Sequence, residues 1–142
     1  GYPDMTAEAQ DKLITRLCRK VLDHTEELSI YDMNEVEGSD VTIISYGITA
    51  RVASYAINQA REQGLKVGEL RLVTLWPFND KLIEQVVEGS KSIIVAEMNL
   101  GQMVREVERA AKGKVPVHLL GTAAGKIIEP ETILAKIKEV VR

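Results

Sequence analysis

Four short apolar runs alternate along the chain with segments whose apolar residues recur every three or four positions. Each run has the length of a buried strand, and each periodic segment has the spacing of a helix with one face turned inward. The strands are predicted at Val41–Ser45, Glu69–Val73, Ser92–Ala96 and Val115–Leu120, and the helices at about 49–63, from Asp80, at about 102–111 and from Pro130. This alternation is typical of a parallel α/β sheet covered by helices on both faces, with the core strand order 2-1-3-4.

The first forty residues follow a different pattern. From about Thr6 to Leu28 the periodicity predicts one long amphipathic helix, capped by Thr6, whose apolar face includes Leu13, Ile14, Leu17, Val21 and Leu22. Residues 29–40 are acidic and irregular, with a short edge strand predicted near Ile30 and Tyr31. We therefore divide the chain into a joining helix with an acidic linker (1–40) and an α/β domain (41–142). We expect the helix to fold back on the sheet of its own chain; the alternative is that its apolar face binds a partner.

Composition and charge exclude several classes of function. The chain has 18 Lys and Arg against 21 Asp and Glu, a net charge of −3 that argues against non-specific nucleic-acid binding. Its single cysteine, Cys18, excludes a disulfide framework, a multi-cysteine zinc site and an iron–sulfur cluster held by this chain alone. With neither an apolar run of membrane-spanning length nor a signal peptide, we predict a cytoplasmic protein without membrane contact. The opening Gly1, in place of Met, suggests a piece of a longer protein.

Two loops follow strands that are predicted to be neighbours at the point where the strand order reverses. The first contains Gly47, Thr49 and Arg51, and the second contains Asn99, Gly101 and Gln102. A crevice between these loops would be flanked by two helix N-termini, which favour an anion. The alternative is that Thr49 is only an N-cap and that the glycines only permit tight turns.

Glu97 directly follows a buried strand. Partial desolvation there would raise the pKa of its carboxyl group, which can mark a functional acid. The alternative is that Glu97 caps the next helix or pairs with Arg105.

The only tryptophan and the only phenylalanine share one loop, Trp76-Pro77-Phe78. Aromatic residues concentrated on a stiff loop suggest a surface for a partner. The alternative is that Trp76 plugs the end of the sheet.

Other motifs are excluded by their spacing. The stretch Gly121–Lys126 has three residues between its glycines and no Ser or Thr after the lysine, so it is a structural connection and not a phosphate-binding loop. His24 and His118 each stand without Cys or carboxylate residues at the spacing of metal ligands.

Three stretches together resemble one enzyme family. "VTIISYGITAR", "LRLVTLWPFND" and "IIVAEMNLGQMVREVERAAKGKV" are similar to the C-terminal domain of the α subunit of 2-oxoacid:ferredoxin oxidoreductases, nearest to the 2-oxoglutarate branch. The opening "GYPDMTAEAQDKLITRLCRKV" resembles the segment that joins this domain to the preceding one. Asn79 departs from the family, where proline is expected. The resemblance implies a three-layer α/β/α sandwich like the C-terminal domain of transketolases, with an antiparallel edge strand.

The resemblance also implies a role within a larger enzyme. The family decarboxylates a 2-oxoacid on thiamine diphosphate, with magnesium, passes electrons through iron–sulfur clusters to ferredoxin, and releases an acyl-CoA. Its thiamine site is formed by the preceding α domain and a β subunit, so we expect this chain to carry no catalytic residue or cofactor of its own. Its loops would contact those two partners, and the crevice would help to hold the phosphates of CoA. The alternative is a free-standing flavodoxin-like module that binds a small anion or flavin.

Overall fold

The computed structural model describes residues 2–123 and 125–141. That part of the chain forms six helices and five strands, which alternate from β2 onwards. They are α1 Ala7–Leu22, α2 Thr25–Leu28, β1 Tyr31–Asn34, β2 Val41–Tyr46, α3 Gly47–Glu62, β3 Val67–Leu72, α4 Asp80–Gly89, β4 Ile93–Glu97, α5 Met103–Ala111, β5 Val117–Gly121 and α6 Pro130–Val141. The predicted strands correspond to β2, β3, β4 and β5, with ends displaced by one or two residues.

One sheet joins the five strands in the order β1-β3-β2-β4-β5. Strands β2 to β5 are parallel, so the predicted core order 2-1-3-4 is confirmed. Strand β1 is antiparallel to β3, with Tyr31 opposite Leu72, which confirms the edge strand. Both β1 and the buried Val36 precede residue 41, and the division of the chain after residue 40 stays a prediction.

Both faces of the sheet are covered. Consecutive strand residues point to opposite faces, so Ile43 packs with α3 and α6 while Ile44 packs with α4 and α5. Ile57 and Ile133 complete the first layer, and both are fully buried. The result is the expected three-layer α/β/α sandwich. The central strands β2 and β4 are buried on both faces because helices cover both sides of the sheet there.

The structure contradicts two predictions made for the first helix: that it is continuous, and that it packs on the sheet of its own chain. The expected single helix is two, α1 and α2, separated by Asp23 and His24; Thr6 does cap α1, accepting a hydrogen bond from the Ala9 N–H at 3.3 Å. None of the sixteen residues of α1, all of which the structure describes, is buried. The expectation that this helix docks on its own sheet is therefore wrong. The physical reason is that α3 with α6, and α4 with α5, already occupy the two faces.

Candidate functional site

The two segments of the predicted crevice lie side by side, but the first, from Gly47 to Arg51, is the beginning of α3 and not a loop. Strands β2 and β4 pair in parallel, with Ser45 opposite Ala96, so the segments that follow them emerge together at the carboxyl edge of the sheet. Gly47 and Gly101 have positive φ angles of 57° and 101°, conformations that glycine adopts without strain. Arg51 is exposed on α3 and makes no side-chain hydrogen bond within the described residues.

Glu97 is the centre of this edge. Its side chain is fully buried, and its two carboxylate oxygens accept hydrogen bonds from the backbone N–H groups of Met103 at 2.9 Å and Val104 at 3.1 Å. These are the first N–H groups of α5, which an α-helix cannot satisfy internally. The helix-capping interpretation of Glu97 is therefore confirmed. The pairing with Arg105 is not formed in the described part of the chain.

Tyr46 and Asn99 connect the two loops. The Tyr46 hydroxyl donates to Glu97 at 3.1 Å and accepts from the Asn99 side-chain amide at 2.9 Å. The Asn99 side-chain oxygen accepts from the backbone N–H groups of Gly101 at 2.8 Å and Gln102 at 2.9 Å. We name Glu97, Tyr46 and Asn99 the edge network. The role of Tyr46 was missed from the sequence, where the available signal was a hydroxyl-bearing aromatic at the end of a buried strand.

The hydrogen bonds and burial of the edge network determine the protonation states of Glu97 and Tyr46. Burial by itself acts to raise the pKa of the Glu97 carboxyl, but the N–H donors of Met103 and Val104, joined by Asn99 and Tyr46, hold that pKa below its ordinary value. The prediction of a raised pKa is therefore wrong. Burial and the neighbouring Glu97 charge raise the pKa of the Tyr46 hydroxyl. At neutral pH the carboxylate is thus charged and the tyrosine protonated, an arrangement that holds a loop and exchanges no proton.

The N-termini of α3 and α5, which flank this edge, differ in how their backbone N–H groups are occupied. The N–H groups of residues 101–104 all donate to Asn99 or Glu97, so a phosphate at the start of α5 would meet a buried negative charge and find these four donors already occupied. Thr49 is not the N-cap of α3: the helix begins at Gly47, after Tyr46, and Thr49 lies buried in its first turn. No side chain of the described residues caps α3.

The aromatic loop separates its two aromatic residues. Trp76 is 72% exposed, so the interpretation that it plugs the sheet is wrong. Pro77 is buried, and Phe78 packs on the core beneath Arg109, whose guanidinium lies 5.7 Å from the ring centre. Arg109 also forms a two-pronged ion pair with Asp80, with N–O distances of 2.8 and 2.6 Å. Phe78 thus anchors the loop and leaves Trp76 outside.

A groove of about 700 Å³ runs beside Trp76. Its walls come from the end of α1, α2, the aromatic loop, the start of α4 and the later turns of α5, and they include Leu22, Trp76, Phe78, Lys81 and Arg109. Apolar and charged side chains alternate there, a composition suited to a protein surface.

The remaining motifs have structural roles. Gly121 ends β5, and a Cβ at this position would lie 2.5 Å from the backbone oxygen of Asn99, so glycine permits the close approach of β5 to the edge loop. The predicted structural loop from Gly121 to Gly125 includes Ala124, which lies outside the described residues. Within residues 2–123 and 125–141 no group of three or more His, Cys, Asp and Glu side chains could hold a metal ion. No helix in the described ranges has the length and apolar character needed to cross a membrane.

The five-stranded sheet and its two helical layers define a domain of the transketolase C-terminal type, a three-layer α/β/α sandwich. Residues 39–133 match the family described as pyruvate:ferredoxin oxidoreductase core domain II, and the chain belongs to that family. The family expected from the sequence is therefore confirmed.

Known relatives agree with this assignment. The chain is 40% identical over 138 residues to the 2-oxoglutarate synthase subunit KorA of Methanothermobacter marburgensis, a match covering 96% of the chain and 37% of the relative. It is 41% identical over 110 residues to the ketoisovalerate oxidoreductase subunit VorB of the same organism, covering 78% and 31%. The chain thus spans less than two fifths of the length of these relatives.

Solved structures share the fold. A 2-oxoglutarate:ferredoxin oxidoreductase from Magnetococcus marinus, solved with 2-oxoglutarate, coenzyme A and succinyl-CoA bound, superposes with a TM-score of 0.82 at 22% identity, covering 100% of this chain and 25% of that one. A split-gene transketolase superposes with a TM-score of 0.65 at 19% identity, covering 78% and 41%.

Proposed function

We propose that this chain is the C-terminal domain of the α subunit of a 2-oxoacid:ferredoxin oxidoreductase that forms an acyl-CoA, with 2-oxoglutarate as the oxoacid. One observation carries the choice of substrate. The matches to two 2-oxoglutarate synthase subunits cover 96% and 100% of the chain, whereas the match to a ketoisovalerate subunit of similar identity covers 78%. A cytoplasmic location is part of the same proposal.

The chain's own residues do not fit the cofactors of that reaction. An iron–sulfur cluster needs several cysteine thiolates, and the sequence holds Cys18 alone. The described residues contain no cluster of carboxylates for the magnesium of thiamine diphosphate. Oxidation and electron transfer therefore belong to other parts of the proposed enzyme, and no step of the reaction is assigned to this chain.

The contribution of this chain is assembly, through the carboxyl edge of its sheet. Trp76 and Leu100 are 72% and 77% exposed there, and Ile48 lies beside them, half exposed. The edge network holds the loop that carries Leu100 in one conformation, which lowers the entropy lost when a partner binds. An apolar, preorganised rim supports contact with the preceding α domain and the β subunit.

The edge network also bears on the contact with CoA. Because the backbone N–H groups of residues 101–104 already donate to Asn99 and Glu97, those four donors are not available to the CoA phosphates. Contact with a neighbouring protein segment is therefore the better-supported role of the 97–102 loop. Gln102, whose exposed side chain makes no capping bond within the described part of the chain, and Leu100 are the residues that would touch it.

The proposal is tested with the purified parent complex. We expect viologen reduction that requires 2-oxoglutarate, CoA and every subunit, and no turnover by residues 1–142 alone when thiamine diphosphate is added. Activity with a different 2-oxoacid alone would contradict the choice of substrate. Turnover by the isolated chain would contradict the assembly role.

A second experiment separates the two contacts of the edge loop. The double variant Leu100→Ser with Gln102→Ala leaves the edge network intact, and Lys114→Ala, in the loop before β5 at the opposite edge, is the matched control. We expect the double variant to lose subunit retention while the KM for CoA stays within about threefold, or roughly 0.65 kcal/mol, of the wild type. A larger rise in that KM with full retention would instead assign the loop to CoA.

A further inference from the structure

The apolar face of α1 lies open. Leu13, Ile14, Leu17 and Leu22 are 48–53% exposed, and no residue of this fully described helix is buried. A single helix of sixteen residues is marginally stable in water unless its apolar face is packed. The sequence therefore builds a helix whose packing partner is absent from the described residues of this chain.

The position of α1 places its face next to the carboxyl edge of the sheet. Strand β1 begins opposite the last residue of β3, so the chain enters the domain at that edge. The short helix α2 is fixed to the start of α4 by a hydrogen bond from the Asn79 amide to Ser29 at 3.1 Å, together with the ion pair between Glu26 and Lys81. Leu22 and Trp76 line the same groove, so the face of α1 adjoins the exposed aromatic loop.

The charges beside this face are also unmatched. In the second half of α1, Arg16 and Lys20 flank the apolar face and form no ion pair with a described residue, whereas Lys12 in the first half pairs with Glu8 at 2.7 Å. A surface that covers α1 would therefore be apolar along its centre and would carry carboxylates near the last two turns of the helix.

The known relatives indicate which polypeptide supplies the surface that covers α1. Helix α1 lies before residues 39–133, the part of the chain that matches core domain II. The match to the KorA subunit of Methanothermobacter thermautotrophicus nevertheless covers 100% of this chain, α1 included, but 38% of the relative. Most of a KorA-type subunit is thus polypeptide that this chain does not span.

We infer that the face of α1 formed by Leu13, Ile14, Leu17 and Leu22, together with Trp76, docks onto the part of the KorA-type α subunit that this chain does not span. The inference rests on the proposed function and names one contact that holds this domain in the assembled enzyme. The docked surface is a helix about 24 Å long whose apolar stripe ends in the aromatic groove.

Hydrogen exchange tests the docking directly. In residues 1–142 alone, the amides of residues 7–22 should exchange rapidly; in the parent complex they should exchange at least 100-fold more slowly. Leu17→Asp puts a carboxylate on the apolar face, and Lys12→Asp puts a carboxylate on the opposite side of α1. We expect Leu17→Asp to return residues 7–22 to rapid exchange in the complex and Lys12→Asp to retain protection.

Three results would overturn the inference: rapid exchange of residues 7–22 in the wild-type complex, equal effects of the two variants, or protection already present in a dimer of the isolated chain. The last result, seen by sedimentation, would show that a second copy covers α1. Viologen reduction by the same wild-type complex separates the two proposals. An active complex with unprotected α1 contradicts the docking alone, and an inactive complex with protected α1 contradicts the proposed function alone.

Discussion

Glu97 shows how one buried charge can be structural. Carboxylates are rarely buried without a partner, because removing a charge from water is costly. Here two backbone N–H groups and the Tyr46 hydroxyl replace the lost water, and the positive end of α5 favours the negative charge. A buried ionised residue at the end of a parallel strand therefore serves as the cap of the next helix.

Replacing Glu97 with Gln should destabilise the isolated chain. The variant keeps the side-chain shape but turns one acceptor into an amide donor facing an N–H donor, so a buried polar group loses its partner. We expect the free energy of unfolding to fall by about 1–3 kcal/mol in urea denaturation. Glu108→Gln, at an exposed position on the same helix, should change it by less than about 0.5 kcal/mol. Equal effects of the two variants would contradict the capping role.

The same residue predicts a dependence on pH. Because folding lowers the pKa of Glu97 from its ordinary 4.5, the carboxylate stabilises the fold above that value, and this contribution is lost as the pH falls through the folded-state pKa. The difference in unfolding free energy between wild type and Glu97→Gln should therefore be largest near about pH 7 and shrink towards about pH 3. Urea titrations over this range measure it, and a constant difference would show that the charge is not what matters.

At the scale of elements, α1 and α3 differ in what covers them. Both are sixteen residues long, but α3 buries Ala53, Ala56 and Ile57 against the sheet, whereas α1 buries nothing in the structure described. Amphipathic periodicity is the same signal in both sequences. The periodicity predicts that a helix has an apolar face, but it does not predict which surface packs against that face.

Truncation of these two faces should therefore have opposite outcomes. In the isolated chain we expect Leu17→Ala, on α1, to change the free energy of unfolding by less than about 0.5 kcal/mol, because its side chain is exposed. Ile57→Ala, on α3, should cost about 2–5 kcal/mol, because its side chain is fully buried. Chemical denaturation of both variants decides this. A large loss of stability from Leu17→Ala would instead indicate that α1 packs on the sheet of its own chain.

On the scale of the whole molecule, surfaces suited to contact cluster at one end. The first turn of α3 carries Ile48, the loops after β3 and β4 carry Trp76 and Leu100, and α1 enters at the same edge. Exposed apolar groups collected on one side mark an interaction surface more reliably than the same groups scattered singly. This distribution suits a domain whose work is done within an assembly.

Trp76 should matter for assembly and not for folding. We expect Trp76→Ser to leave the unfolding free energy of the isolated chain within about 0.5 kcal/mol of the wild type. We expect the same change to weaken binding to the remainder of the complex at least tenfold, about 1.4 kcal/mol, as for a buried aromatic at an interface. Titration of the chain against the rest of the α subunit together with the β subunit measures this. Tyr55→Ser, an exposed aromatic on α3, is the control and should not alter binding.

The order of elements and the three layers follow from the sequence by itself. Strand and helix periodicities are local, and short right-handed connections leave few ways to arrange four parallel strands. The position of the candidate edge follows as well, because the loops after parallel strands meet at one end of the sheet. The sequence thus placed Gly47 near Asn99, and Trp76 at the rim.

Only the tertiary structure decided the state of Glu97 and the exposure of α1. The direction of a pKa shift depends on the number of donors that reach the carboxylate, and Tyr46, one of them, lies 51 residues away in sequence. Whether an apolar face is buried depends on which sheet faces other helices have already taken. Both are properties of distant segments competing for the same space, and no local pattern records them.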